Sequence, residues 1–236
     1  MRIACWSGPR NISTALMRSW SSRRNSYVTD EPLYSYYLKK TGLKHPMHQE
    51  IINRYPSKFE NVIKYISGPI PLNKKIWYQK HMAHHLLDLN NIEFILSLQN
   101  TFLIRDPKYV ISSYRRKNKL SNHRELGYYQ QIKMIKFLEL NSKDYIVIDS
   151  SRLLKNPKKV LKKWCQEINI DFDENMLKWE KGYYSTDGIW GEHWYDNVIN
   201  STTFDNKNKY KNIIFENDEI YEKCKTYYEK MLDLAI

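Results

Sequence analysis

The sequence predicts an α/β fold, one three-layer domain in which a central parallel sheet of about five strands is flanked by helices. Three observations carry this expectation. Short apolar runs at residues 3–6, 26–28, 76–79, 101–104 and 145–148 alternate with segments of helical period. Most of these runs are continuously apolar, as strands buried on both faces of a parallel sheet require. Two of them, the first and the fourth, pass through a polar turn straight into a helical pattern.

Ile3 to Trp6 reads as the first strand, stopped by Ser7-Gly8-Pro9, with Ser13 opening a helix through Met17. Ser26 to Val28 is a second brief strand, interrupted at Asp30-Glu31-Pro32 because proline cannot donate to a ladder. Leu33 to Lys40 and Met47 to Tyr65 suit helices, separated by residues 41–46, and together make a helical insertion near 33–70. Ile76 to Gln79 is the third strand; His81 stands at its end, and His84 and His85 begin a helix. Thr101 to Ile104 is the fourth, halted by Arg105-Asp106-Pro107, after which Val110, Ile111 and Tyr114 keep helical spacing. Gly127 to Leu140 is helical, Tyr145 to Ile148 is a β-branched strand, and further helices follow Pro157 and span Glu219 to Leu232. Residues 182–212 show neither period and carry Tyr183, Tyr184, Trp190, Trp194 and Tyr195, the signature of a functional loop or lid.

A length of 236 residues suits a single domain, here 1–236, with a core that needs no disulfide or metal staple. Hydrophobic content of 42% and aromatic content of 14% exclude disorder, and 7 Gly with 8 Pro exclude a fibrous chain. Against 26 acidic residues stand 38 Lys and Arg, a formal charge of +12 that turns attention to anionic partners. The lysines are spread along the chain without interleaved stacking aromatics, so no nucleic-acid partner is expected. Cys5, Cys165 and Cys224 lie far apart and fit a reducing compartment. The opening residues are too short for a signal-peptide core and no run reaches membrane-spanning length, so the expected location is cytoplasmic.

Two segments carry chemistry. Ser7-Gly8-Pro9-Arg10-Asn11-Ile12-Ser13-Thr14 joins a strand to a helix, where free backbone N–H groups face an anion at the carboxyl edge of the sheet. Arg10 adds a positive charge, and Ser13 and Thr14 add hydroxyls. The plain alternative is a connection whose Ser13 caps the helix. Gly-x-x-x-x-Gly-Lys-[Ser/Thr] is not matched, so the usual ATP loop is unsupported. In the second segment Arg105 leaves a strand at the same edge and Ser113 lies two helical turns on, so that guanidinium and hydroxyl can grip one phosphate. Alone, this segment reads as a surface ion pair between Arg105 and Asp106.

Together the segments resemble the sulfotransferase family, closest to small bacterial sulfotransferase-like P-loop proteins. Ser7 to Thr14 resembles the 5'-phosphosulfate loop, and Arg105 with Ser113 resembles the 3'-phosphate motif, in the family's order. Asp30-Glu31-Pro32-Leu33 is similar to the family's Glu-Pro-Leu segment, and Lys80-His81 to its Lys-x-His segment with the middle residue missing. Glu180-Lys181-Gly182 is a reduced form of its C-terminal Arg-Lys-Gly motif, and Ile12 stands in a loop where the family often carries glycine. The resemblance implies a P-loop-type domain and an enzyme that moves a sulfuryl group from 3'-phosphoadenosine 5'-phosphosulfate to a hydroxyl or amine of a small-molecule acceptor. It places Ser7 to Thr14, Arg105, Ser113 and Lys181 on the cosubstrate. Arg10 and Lys80 neutralise developing charge, and Glu31 is the base, with His81 as the other candidate. No metal is required by this chemistry, and no acidic third ligand accompanies His81, His84 and His85. The competing functions are a P-loop nucleotide kinase or hydrolase and a catalytically silent nucleotide-binding protein.

Overall fold

The computed structural model describes residues 1–204, 215 and 217–236. Its sheet has five parallel strands: β1 Arg2–Ser7, β2 Ser26–Asp30, β3 Ile76–Met82, β4 Gln99–Ile104 and β5 Tyr145–Asp149, in the order β2-β3-β1-β4-β5. Helices cover both faces, which gives the three-layer α/β architecture. Alternation along the strands divides the core: Ala4, Trp6, Phe102, Ile104 and Val147 join one cluster, and Ile3, Cys5, Tyr78, Leu103, Ile146 and Ile148 the other. Because both faces are buried, most positions of both alternating sets are apolar, and buried polar residues such as Gln79, Lys80 and His81 gather toward the carboxyl end of β3.

Ten helices occur among the described residues: α1 Ser13–Ser21, α2 Tyr34–Thr41, α3 His48–Arg54, α4 Phe59–Ile66, α5 Pro107–Arg115, α6 Tyr128–Leu140, α7 Ser150–Lys155, α8 Pro157–Glu167, α9 Gly191–Trp194 and α10 Glu219–Leu232. α1 and α8 pack on the face of Ile3 and Cys5, whereas α4, α6 and α10 pack on the face of Trp6. β1 is central, paired with β3 on one side and β4 on the other, and all strands run parallel. The loops after β1, β3 and β4 therefore converge at one carboxyl edge, the place where open α/β sheets bind ligands.

Four segments differ from the sequence expectation. The helix expected over Met47 to Tyr65 is two helices, α3 and α4, because Pro56 forces Tyr55 into an extended conformation (φ −116°, ψ 154°). β3 continues three residues beyond Gln79, and Ala83–His85 form a 3-10 turn instead of a helix start. α7 has no counterpart in the sequence reading; Asp149 initiates it by accepting from the N–H groups of Ser151 and Arg152. The stretch expected as irregular at 182–212 contains the short helix α9, and its residues 205–212 lie outside the described residues. All three cysteines are buried and unbonded to one another. Among the described residues no helix is long and apolar enough to cross a membrane.

Candidate active site

The loop after β1 is shaped by its surroundings. Gly8 lies so close to the turn at His123–Leu126 that a Cβ there would fall 2.1 Å from the Leu126 carbonyl oxygen, so no side chain fits. Asn11 is buried and donates to the Leu103 carbonyl at 3.1 Å. Ser150 donates to the carbonyls of Asn11 and Ile104, and Gln131 to those of Trp6 and Leu103. Arg10 (φ 61°) and Ile12 (φ 59°) adopt the left-handed conformation, which is unfavourable for any residue with a Cβ and clusters at functional sites. Ile12 is the N-cap of α1 and offers no side-chain bond, so Ser13 is not the cap, and among the described residues no side chain accepts from the N–H groups of Ser13 or Thr14. The Ser7 hydroxyl points away from that opening, toward β3, with the His81 carbonyl at 3.4 Å.

The second segment meets the first. Asp106 caps α5 by accepting from Lys108 N, with Pro107 in the first turn. Arg105 Nη1 donates to the Arg10 carbonyl at 2.7 Å, and Tyr128 on α6 donates to the Arg105 carbonyl at 2.7 Å. Arg10 Nε donates to Ser113 Oγ at 2.8 Å. Arg10, Arg105 and Ser113, spread over more than 100 positions of sequence, thus form one hydrogen-bonded cluster beside the uncovered start of α1.

An ionic centre lies at the ends of β2 and β3. Lys80 is 1% exposed, and its Nζ donates to Asp30 Oδ1 (2.8 Å), Tyr195 OH (2.8 Å) and Glu31 Oε1. Asp30 Oδ2 accepts from Tyr195 OH (2.6 Å) and Gly188 N (3.0 Å). Burial opposes the charged form of Lys80, yet the carboxylates of Asp30 and Glu31 hold its pKa well above the ordinary lysine value. Burial pushes the Glu31 carboxyl above its ordinary range, against the pull of Lys80. Glu31 also has a positive φ of 38°. Residues 182–204 are fastened over α1: Arg18 is fully buried and makes a bidentate pair with Asp187 (2.5 Å for each bond), with its guanidinium 3.8 Å above the Tyr184 ring.

Lys80 and His81 do not share a face of the sheet. Lys80 is level with Cys5 and turns toward Asp30; His81 is level with Trp6 and stacks on its indole at 4.3 Å, inside the opposite core. Burial first, and then the charge of Lys80, push the His81 ring down to about 3. Lys-x-His spacing puts both residues on one face; without the middle residue the position on Lys80's face is Met82, and the imidazole is carried away from Glu31. Lys181 is exposed and makes no hydrogen bond or ion pair among the described residues. A different histidine approaches Glu31: His85 Nδ1 is 4.0 Å from Glu31 Oε2, the ring lying between Tyr34 (4.8 Å) and Tyr37 (4.6 Å). Among the described residues no group of three or more His, Cys, Asp or Glu is placed to hold a metal ion.

Sequence reasoning passed over Asp30, Tyr195, Arg18 and Asp187 as site residues. Asp30 was discoverable, since it adjoins Glu31 at the end of a strand; Tyr195 and Asp187 reach their partners across more than 100 residues and leave no local pattern.

A family model described as Sulfotransferase domain matches residues 1–235. Branched-chain-amino-acid aminotransferase-like proteins 2 and 1 of Arabidopsis thaliana are each 34% identical to the chain, over 210 and 211 residues. Those matches take in 88% of this chain but 37% of each relative, so the chain spans well under half of their length. Among solved structures, the sulfotransferase domain of the Synechococcus PCC 7002 olefin synthase has the same fold, with a TM-score of 0.64 at 16% identity over 97% of this chain and 94% of that one. The sulfotransferase domain of the curacin biosynthetic pathway aligns with a TM-score of 0.50 and 16% identity over 99% and 91% of the two chains.

Proposed function

The chain belongs to the sulfotransferase domain family, and on that premise we propose that it transfers a sulfuryl group from 3'-phosphoadenosine 5'-phosphosulfate to the hydroxyl or amine of a small-molecule acceptor. The observation that carries this reading is the contact between the two anion-binding segments, Arg10 with Ser113 and Arg105 with the Arg10 carbonyl. The residues present fit such a cosubstrate: two guanidinium groups and a serine hydroxyl gather beside a helix start without a side-chain cap, and a doubly phosphorylated ligand needs cationic donors at both ends. The cosubstrate supplies an activated sulfuryl group with a phosphate leaving group.

Each residue then has a task. The N–H groups of Ser13 and Thr14 hold the 5' end with Arg10, and Arg105 with Ser113 holds the 3'-phosphate. Glu31 takes the acceptor proton, its raised pKa bringing it nearer to working pH. Lys80 orients Glu31 through Oε1 and supplies positive charge next to the transfer. Asp30 and Tyr195 hold that lysine in position. His81 serves the core by its stack on Trp6.

Titration in a thermal-shift assay tests the reading. Adenosine 3',5'-bisphosphate without metal raises the melting temperature, and Arg105→Ala weakens that effect by about 10-fold to 100-fold in ligand concentration. Stabilisation by ATP with Mg²⁺ and none by the bisphosphate would instead indicate a nucleotide kinase or hydrolase.

A further inference from the structure

The two oxygens of Glu31 have different neighbours. Oε1 accepts from Lys80, whereas Oε2 lies 4.0 Å from Nδ1 of His85. That distance is too long for a direct hydrogen bond and suits one oxygen atom bridging the two at ordinary distances of about 2.8 Å. His85 is 2% exposed, and its Nδ1 has no hydrogen-bond partner among the described residues. An unpartnered ring nitrogen buried so deeply is costly unless a ligand fills the gap. The ring cannot swing aside, because Tyr34 stacks on it at an interplanar angle of 2° and Tyr37 at 26°.

We propose that the acceptor is a hydroxyl compound whose oxygen sits between Glu31 Oε2 and His85 Nδ1; this rests on the sulfuryl-transfer reading and narrows it. The carboxylate oxygen opposite Nδ1 favours the tautomer with its proton there, so His85 is a donor. Burial keeps the ring neutral, its pKa well below the ordinary histidine value. The bridging atom then has three tasks: it gives a proton to Glu31, accepts from His85, and directs a lone pair at sulfur. A hydroxyl oxygen has one proton and two lone pairs and meets all three. A neutral amine has a single lone pair, and accepting from His85 leaves none to attack with. In the transfer the acceptor oxygen forms a bond to sulfur as the sulfur–oxygen bond to the phosphate breaks. The electron pair of that bond stays on the phosphate oxygen, leaving adenosine 3',5'-bisphosphate, and the hydroxyl proton moves to Glu31 Oε2.

Matched acceptors test this: 2-naphthol against 2-naphthylamine, and 4-methylphenol against 4-methylaniline, with the sulfated product measured by mass. The expected result is transfer to the phenols at least about 10-fold faster than to the amines. His85→Phe keeps a ring between Tyr34 and Tyr37 but removes the donor. It lowers phenol transfer by roughly 10-fold or more and brings the phenol-to-amine ratio toward one. His85→Asn, whose side-chain amide stands near the Nδ1 position, restores part of both. Independently of turnover, His85→Phe weakens the binding of 2-naphthol, followed by its fluorescence in the presence of adenosine 3',5'-bisphosphate. Wild-type protein that binds the bisphosphate but sulfates the amines equally well, or sulfates neither class, overturns the bridge alone. Unchanged naphthol binding and unchanged selectivity in His85→Phe overturn it as well. Absence of bisphosphate binding overturns the sulfuryl-transfer reading and the bridge with it.

Discussion

Lys80 and His81 are neighbours on β3, both fully buried, and their surroundings are opposite. Lys80 looks onto Asp30, Glu31 and Tyr195 and remains charged; His81 looks onto Trp6 and Gln79 and remains neutral. One step along a strand exchanges a reactive face for a structural one, which shows that the spacing of a motif in a strand matters as much as its letters. The starts of α1 and α5 make the same point for helices. Asp106 closes the first turn of α5 with its own side chain, and Ile12 leaves that of α1 open to a ligand.

The largest test of the contrast is Lys80→Met, which leaves two buried carboxylates facing each other without a cation. A loss of about 3–5 kcal/mol in chemical denaturation is expected; a loss below about 1 kcal/mol would mean that the two faces of β3 are energetically alike. Glu31→Gln comes next. It keeps the Lys80–Asp30 pair, so stability stays near wild type while sulfuryl transfer falls on the order of 100-fold to 10,000-fold. His81→Phe keeps a ring against Trp6, and transfer is expected within about twofold of wild type. Its effect lies in acid: a folded-state pKa of about 3 against the ordinary 6.5 gives stability that is fully present above pH 6.5 and lost as pH falls toward 3. The variant lacks that share, so its stability declines less steeply between pH 6.5 and 3, while His84, also pushed down to about 3 by burial, maintains a remaining slope. Smallest is Asp106→Ala, which costs about 1 kcal/mol by uncapping α5 and leaves bisphosphate affinity intact. A large affinity loss there would erase the distinction between the two helix starts.

The class of fold was legible because most strands are continuously apolar and the first and fourth lead straight into a helical period; the observed strands begin and end within a few residues of the apolar runs. That Ser7 to Thr14 and Arg105 to Ser113 belong to one edge of the sheet was legible, since each is a polar turn after an apolar strand, and Arg10 does meet Ser113 there. The face of His81 was not, because ending the third strand at Gln79 withheld the period-two rule from the two residues that follow it. The break at Pro56 was written in the sequence but outweighed by helical residues on either side. Tyr195 on Lys80 and Asp187 on Arg18 are products of tertiary packing between segments far apart in the chain, and no periodicity announces them.

Arg18 has one further consequence. Its guanidinium, sealed under Tyr184, has Asp187 as its counter-charge, so severing the chain ahead of residue 187 strands a cation inside the first helix layer. Dissection into an isolated N-terminal fragment is therefore self-defeating. Proteolytic nicking or circular permutation in this protein should be directed to the exposed turns near Leu72 or Leu140, where the chain opens without orphaning a charge.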